Sequence, residues 1–196
     1  MAKLYFNYSA MNAGKTTILL QSSYNYHERG MRTLLIKPAI DTRDTAQAEI
    51  MSRIGLSAQA DIITTKDNLE THIRKAHEQA PLNCVLVDEA QFLTEAQVWQ
   101  LAHVADNMRL PIMCYGLRTD FQGKLFPGSA ALLAIADSIK EIKTLCWCGR
   151  KAIMTTRVSR AGKAVMRGAQ VEIGGNDRYV SLCRKHWKAK ETRAAG

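Results

Sequence analysis

The chain has 196 residues, of which 46% are hydrophobic and 23% are charged, and its formal net charge is +9. This length and composition suit one folded domain with at most a small appendage, and they exclude extensive disorder. No stretch reaches the roughly 18 apolar residues of a membrane helix, and the N-terminus lacks a signal-peptide pattern, so we expect a cytoplasmic protein without a membrane partner. The basic charge suits an anionic partner but does not identify one.

The first predicted elements form a βαβ unit around a short loop. Residues 3–8 predict a buried strand, residues 15–30 a helix that ends at Gly30, and residues 32–38 a second strand. Between the first strand and the helix, residues 9–16 read SAMNAGKT. This sequence resembles the phosphate-binding pattern G-x-x-x-x-G-K-[ST], with serine in place of the first glycine.

This loop predicts nucleotide binding. Gly14 opens the helix, Lys15 suits the β and γ phosphates, and the hydroxyl of Thr16 suits Mg²⁺. Serine can replace the first glycine if its φ angle is negative. A chance G-K-T sequence at a helix start is the alternative. The residues expected to bind the ATP phosphates are Ser9, Ala10, Met11, Asn12, Ala13, Gly14, Lys15 and Thr16.

Strands and helices alternate through the rest of the first 145 residues. Residues 39–61 show no convincing period, and we expect a flexible surface segment there. Helices are predicted at 66–80 and 94–108, and buried strands at 83–89 and 110–117. This alternation predicts an α/β fold, a P-loop NTPase-like parallel sheet flanked by helices.

Two adjacent carboxylates, Asp88 and Glu89, end the third predicted strand, as in a Walker-B motif. In P-loop proteins the first carboxylate holds the metal directly or through water, and the second can act as general base on an attacking hydroxyl or water. Neighbouring side chains at a strand end point in different directions, so the two can serve different groups. An exposed acidic pair is the alternative.

The sequence changes character at about residue 146, where glycines, basic residues and short β-like runs replace helical patterns. We predict a P-loop ATP-binding domain at residues 1–145 and a β-rich zinc-binding lobe at residues 146–196. Cys146, Cys148, Cys183 and His186 form C-x-C followed by C-x-x-H, which matches a closed, structural zinc site. Three reduced cysteines and a surface histidine are the alternative. Cys84 and Cys114 lie in predicted strands and are expected in the core.

Three motifs together resemble the thymidine kinases of the P-loop plus zinc-lobe type. They are the loop at residues 9–16, VDEAQF at 87–92, and the cysteine and histidine pattern around IGGNDRYVSLCRKH at 173–186. KPAIDTR at 37–43 and GLRTDFQGKLF at 116–126 extend the resemblance over nearly the whole chain. It implies MgATP-dependent phosphorylation of the 5′-hydroxyl of thymidine in nucleotide salvage, with deoxyuridine as a lesser substrate. It also implies a cytoplasmic homotetramer inhibited by thymidine triphosphate, with no stable nucleic-acid partner.

The resemblance also assigns residues to the two substrates. For ATP and its magnesium it implies Asp88, Glu89, Ala90 and Gln91, with Glu89 as general base, Thr16 and Asp88 as magnesium ligands, and Asp41, Thr42 and Arg43 as further nucleotide contacts. A loop from the zinc lobe would grip the thymine base largely through its backbone, at Gln170, Val171, Glu172, Ile173 and Gly174, with Tyr179 just beyond. The apolar walls of this site would be Met11, Phe92, Phe121 and Phe126.

Two other functions fit parts of the pattern. A nucleic-acid-dependent ATPase would explain the basic charge and the DEAQ sequence, but 196 residues hold one such core and lack the second lobe that couples hydrolysis to movement. A zinc-stabilised nucleic-acid-binding module would bind DNA in a salt-dependent manner without turnover. Turnover of ATP that responds to thymidine and not to DNA would distinguish the kinase from both.

Overall fold

The computed structural model describes residues 2–39, 48–170 and 178–193. The strands are β1 (Leu4–Ser9), β2 (Thr33–Pro38), β3 (Glu49–Met51), β4 (Ser57–Gln59), β5 (Asp61–Ile63), β6 (Cys84–Val87), β7 (Ile112–Leu117), β8 (Ser138–Glu141), β9 (Thr144–Leu145), β10 (Lys151–Ala152), β11 (Met154–Val158), β12 (Ala164–Val165) and β13 (Tyr179–Leu182). The helices are α1 (Lys15–His27), α2 (Leu69–Gln79), α3 (Glu95–Asn107), α4 (Pro127–Ile135) and α5 (Arg184–Ala189), with a 3₁₀ turn at Ala90–Phe92.

Six parallel strands form the central sheet in the order β5-β2-β6-β7-β1-β8. The strands are short, and the central strand β6 is apolar and buried along its whole length, as expected where helices cover both faces. Since strand side chains alternate between faces, Leu34 and Ile36 enter one core and Leu35 enters the other. The predicted parallel α/β sheet is therefore confirmed.

Helices cover the two faces unequally. Leu19 and Leu20 of α1 pack on one face, and apolar residues of α2, α3 and α4 pack on the other. The predicted helix at 94–108 is confirmed; Thr94 caps α3 in a capping box with Gln97. Within the described ranges, no helix has the length and apolar character needed to cross a membrane.

The segment at residues 39–61 differs from the expected flexible surface stretch where it is described. Residues 49–51 and 57–59 pair as an antiparallel hairpin, β3 with β4, and Ile50 is buried against the α1 side of the sheet. Three-residue strands are too short to show a period in sequence, which explains the difference. Helix α4 (Pro127–Ile135) was not predicted from the sequence.

The chain after β8 forms small antiparallel sheets and one short helix. β9 pairs with β10, and β11 pairs with both β12 and β13. Helix α5 lies against this sheet, and the indole of Trp187 donates a hydrogen bond of 3.2 Å to the carbonyl of Phe121. The C-terminal elements are thereby attached to the loop that follows β7.

Candidate active site

The predicted phosphate-binding loop connects β1 to α1. Gly14 has a φ of 82°, a left-handed conformation that favours glycine, and its carbonyl accepts the first helical hydrogen bond from Ile18. The amide groups at the start of α1 thus face the loop that begins after Ser9, at the end of β1. Backbone amides at a helix N-terminus form a ready anion-binding site.

Lys15 is buried beneath this loop. Its Nζ donates hydrogen bonds to Ser9 Oγ at 3.0 Å and to the Ala10 carbonyl at 3.2 Å. Burial lowers the pKa of Lys15, and the carboxylates of Glu89 and Asp88 oppose this shift. The serine that replaces the first glycine of the motif therefore contributes a hydroxyl acceptor to the lysine, a contact that glycine could not make.

Asp88 joins the end of β6 to the loop. Its Oδ2 accepts a hydrogen bond of 3.1 Å from Thr16 Oγ1, and its Oδ1 accepts one of 3.0 Å from the amide of Glu89. Burial, reinforced by the charge of Glu89, raises the pKa of Asp88 to about 7. A hydroxyl and a carboxylate held this close match the oxygen donors that Mg²⁺ prefers, and a nearby cation would favour the ionised carboxylate.

Glu89 is half-buried and has a φ of 50°, an uncommon value for a residue with a side chain. Gln91 Nε2 donates to Glu89 Oε2 at 2.5 Å, and Gln91 Oε1 accepts from the amide of Leu117 at 2.9 Å. A Cβ at Gly116 would lie 2.8 Å from Gln91 Oε1, so glycine permits this approach. Gln91 thus connects the Glu89 carboxylate to the end of β7 and fixes its position.

The tip of the phosphate-binding loop contacts the C-terminal sheet. The amide of Met11 donates to Thr155 Oγ1 at 3.1 Å, and its carbonyl accepts a short hydrogen bond from Ser181. Asn12 Nδ2 donates to the carbonyl of Tyr179 at 3.3 Å. Strands β11 and β13 therefore border the same loop as β1 and α1.

The residues predicted to form the nucleoside site fall into two groups of contacts. Phe92 and Phe126 meet edge to face with ring centroids 5.5 Å apart. Phe121 and Tyr179 both lie against Arg157, and the side chain of Gln170 donates to Asp120 at 3.0 Å. Seven predicted site residues lie outside the described ranges: Asp41, Thr42, Arg43, Val171, Glu172, Ile173 and Gly174.

The predicted zinc ligands converge. The ligand atoms of Cys146, Cys148, Cys183 and His186 all lie within 4.8 Å of one another. His186 Nδ1 is 3.4 Å from Cys146 Sγ and 3.6 Å from Cys183 Sγ. Tetrahedral zinc with ordinary bond lengths separates sulfur and nitrogen ligands by about 3.6 Å. These residues therefore fit a zinc ion.

The surroundings of His186 suit a metal ligand. Its Nε2, on the side of the ring away from the thiols, lies 3.6 Å from Glu191 Oε2. Trp147 stacks on the imidazole with ring centroids 4.1 Å apart. A carboxylate behind a histidine ligand and a packed ring both fix the orientation of the imidazole.

Sequence reasoning missed several residues of this region. Thr155 and Arg157 lie outside every motif, and Asp120 and Ser181 lie within stretches that carry the resemblance but were given no role. The contacts of all four depend on tertiary structure. A strand pattern with polar residues at buried positions, as in TTR at 155–157, is the one sequence signal that could have drawn attention to two of them.

A phosphate-binding loop, joined through Thr16 to a carboxylate at the end of a neighbouring strand, defines a P-loop nucleotide-binding protein. The family model described as thymidine kinase matches residues 2–187. The chain belongs to the thymidine kinase family, and the prediction of an ATP-dependent nucleoside kinase is confirmed.

Several relatives match nearly the full chain. A thymidine kinase of Ruegeria pomeroyi is 60% identical over 188 residues, which are 96% of this chain and 94% of the relative. One of Agrobacterium fabrum is 59% identical over 187 residues, 95% of this chain and 96% of the relative. Among solved structures, AMPPCP-bound DnaA from Aquifex aeolicus matches 73% of this chain and 41% of its own, with 20% identity and a TM-score of 0.43.

Ser9→Ala tests the contact between Ser9 and Lys15. The change removes one of two acceptors of a buried ammonium group, and we expect the free energy of unfolding to fall by about 1–3 kcal/mol. Chemical denaturation of Ser9→Ala, Lys15→Met and the double variant measures the coupling between the two side chains. Ser57→Ala, at an exposed position of β4, is the control. If Ser9→Ala lowers the free energy of unfolding equally in the wild-type protein and in Lys15→Met, the two side chains do not stabilise each other and the proposed contact is wrong.

Proposed function

We propose that this protein transfers the γ-phosphate of ATP to the 5′-hydroxyl of thymidine, giving thymidine monophosphate for nucleotide salvage, with deoxyuridine as a lesser substrate. The observation that carries the proposal is the 3.1 Å hydrogen bond between Thr16 and Asp88, which brings the phosphate-binding loop to the carboxylates after β6. The family relationship supports the choice of thymidine as acceptor.

The proposed ATP site combines the loop and the end of β6. Residues 9–16 hold the phosphates through backbone amides and Lys15, which exchanges its present acceptors for phosphate oxygens. Thr16 and Asp88 would hold Mg²⁺, and the bound ion would neutralise charge on the phosphoryl group during transfer. Ala90 and Gln91 complete this side of the site. Asp41, Thr42 and Arg43, outside the described ranges, remain proposed as nucleotide contacts.

Glu89 is proposed as the general base. It takes the proton of the 5′-hydroxyl as that oxygen bonds to the γ-phosphorus and the bond from this phosphorus to the β-phosphate oxygen breaks, which releases ADP. Asp88 would hold the metal ion. The hydrogen bond from Gln91 and the left-handed backbone hold the Glu89 carboxylate in one place before substrate binds. Such preorganisation avoids the cost of reorienting the base during the reaction.

The nucleoside site is proposed to lie between the phosphate-binding loop and the C-terminal sheet. Its backbone contacts come from residues 170–174, with Tyr179 beside them. Its apolar walls are Met11, Phe92, Phe121 and Phe126. The contacts of Met11 with Thr155 and Ser181 support this placement, because they bring the loop and the two C-terminal strands together.

Zinc is proposed as a structural ion held by Cys146, Cys148, Cys183 and His186. Four protein ligands complete a tetrahedral shell, so such an ion would stabilise the surrounding small sheets and take no part in the reaction. We also propose that the chain divides into a P-loop domain at residues 1–145 and this zinc-binding lobe at residues 146–196.

Three further properties are proposed from the family resemblance. They are a homotetrameric assembly, inhibition by thymidine triphosphate and a cytoplasmic location, without a stable nucleic-acid or membrane partner.

Transfer of labelled phosphate tests the proposed function directly. With γ-labelled ATP and Mg²⁺, we expect label in thymidine monophosphate, less in deoxyuridine monophosphate, and little when deoxycytidine, deoxyadenosine or DNA is the addition. Thin-layer separation of the products identifies the acceptor. Label released as free phosphate, in an amount that rises with DNA, would instead indicate a nucleic-acid-dependent ATPase.

Glu89→Gln tests the base. The amide keeps the size of the side chain but cannot accept the proton, so we expect kcat to fall by roughly 10²-fold or more while ATP binding is retained. Steady-state rates and equilibrium titration with ATP measure the two quantities. Glu95→Gln, at an exposed position in the first turn of α3, is the matched control. A rate near that of the unmodified protein would remove Glu89 from this role.

Counting reactive thiols tests the zinc site. Burial raises the pKa of Cys84 to about 11 and that of Cys114 further, and both side chains are fully buried, so neither should react in the folded protein. With zinc bound, we expect no thiol to react rapidly at neutral pH. After chelation of the zinc, three thiols should react, and after denaturation all five should react.

Two variants complete this experiment. Cys183→Ser should lose stoichiometric zinc, whereas Cys84→Ala should keep it, because Cys84 lies in the central sheet. Metal analysis reports both. A protein that contains no zinc when purified, and whose three C-terminal thiols react at once, would refute the site.

A further inference from the structure

We propose that Arg157 is a positioning residue for the nucleoside acceptor, an inference that rests on the proposed thymidine kinase activity. Arg157 is 5% exposed and touches three residues of the proposed nucleoside site. Its guanidinium carbon lies 4.0 Å from the centroid of the Phe121 ring. Its Nε donates to the Tyr179 hydroxyl at 2.9 Å, and its Nη2 donates to the Gln170 carbonyl at 3.4 Å.

The backbone fixes the place of this side chain. Arg157 lies in β11, the middle strand of the three-stranded C-terminal sheet, and is directly opposite Tyr179 of β13. Residues opposite each other in an antiparallel pair project on the same face, which is why the guanidinium also reaches within 5.4 Å of the Tyr179 ring centroid. A strand with partners on both edges is a rigid support for such a group.

The shape of the guanidinium suits this set of contacts. It is flat, so it stacks on Phe121, and its donors point in fixed directions within the same plane, toward Tyr179 and toward the carbonyls of Ala169 and Gln170. Lysine carries one compact ammonium group on a flexible chain. It could satisfy one of these acceptors but could not also stack on the ring.

The contact with Tyr179 has a direction. Because Arg157 Nε–H donates to the phenolic oxygen, the hydrogen of that hydroxyl must point elsewhere, where it can donate to an acceptor. The hydrogen bond from Arg157 therefore orients the Tyr179 hydroxyl so that it can donate to another group. Loss of the guanidinium would allow the hydroxyl to rotate and accept instead.

Asp120 adds a second attachment to the same group of residues. It is buried, precedes Phe121 in the chain and accepts the side-chain amide of Gln170 at 3.0 Å. Its other oxygen accepts the amides of Gln122 and Lys124, both at 2.9 Å. Gln170 is thus held at its carbonyl by Arg157 and at its side chain by Asp120. Arg157 connects Phe121, Gln170 and Tyr179 into one unit.

Separate Michaelis constants for the two substrates test this role. We expect Arg157→Lys to raise the KM for thymidine by about tenfold and to leave the KM for ATP within about twofold, because Arg157 contacts Phe121, Gln170 and Tyr179 of the proposed nucleoside site. Tyr179→Phe should raise the KM for thymidine by a smaller factor than Arg157→Lys does. In the Tyr179→Phe background, Arg157→Lys should raise this KM by a smaller factor than it does in the wild-type protein.

Arg118→Lys is the matched control. Arg118 also stacks on a ring, that of Tyr8 at 5.5 Å, and also donates to a carbonyl, that of Ile153 at 3.3 Å, so it makes the same kinds of contact at another place. We expect both Michaelis constants to be unchanged in this variant. Thermal melting and zinc content of each variant verify the fold.

The outcomes distinguish the inference from the proposed function. A wild-type protein that does not phosphorylate thymidine overturns both. A wild-type protein that does, with an unchanged KM for thymidine in Arg157→Lys or an equal rise in both Michaelis constants, overturns the role of Arg157 alone. If Arg157→Lys does not fold, Tyr179→Phe tests the same contact, and an unchanged KM for thymidine in that variant refutes the proposal.

Discussion

The hydrogen bond between Thr16 and Asp88 is the constraint on which the site depends. It joins residues 72 positions apart, one at the start of α1 and one after β6. In the sheet, β7 lies between β1 and β6, so the carboxyl ends of these three strands meet at one edge. Helix α1, which follows β1, packs on one face of the sheet, and helices α2, α3 and α4 pack on the other. In such sheets the crevice at this edge binds ligands.

The strand between them determines where Glu89 lies. Gly116 and Leu117 end β7, and the absence of a side chain at Gly116 lets Gln91 approach closely enough to bridge the Leu117 amide and the Glu89 carboxylate. Glu89 has a strained backbone, which the hydrogen bond from its amide to Asp88 helps to maintain. The geometry of the acidic pair is therefore a product of three strands and not of the DEAQ sequence alone.

Sequence predicted the parts of this molecule that local chemistry specifies. The glycine and lysine of the loop, the apolar strands, the cap at Thr94 and the four metal-ligand candidates all follow from residue type and spacing. Contacts between distant residues could not be read in this way. Ser9 looked like a tolerated replacement, yet it binds Lys15, and Arg157 belongs to no motif. Their roles depend on which strands become neighbours, which no local period encodes.

The C-terminal elements and the phosphate-binding loop form one connected structure. Ser181, which donates to the Met11 carbonyl, lies two residues before Cys183 on the same chain segment, and Tyr179, which accepts from Asn12, begins that strand. Whatever fixes Cys183 and His186 therefore also fixes the strand that borders the loop. The cysteine and histidine cluster holds the C-terminal end of β13, and the same strand contacts the phosphate-binding loop through Tyr179 and Ser181. The cluster therefore helps to determine the shape of the loop around Lys15, although the two are distant in sequence.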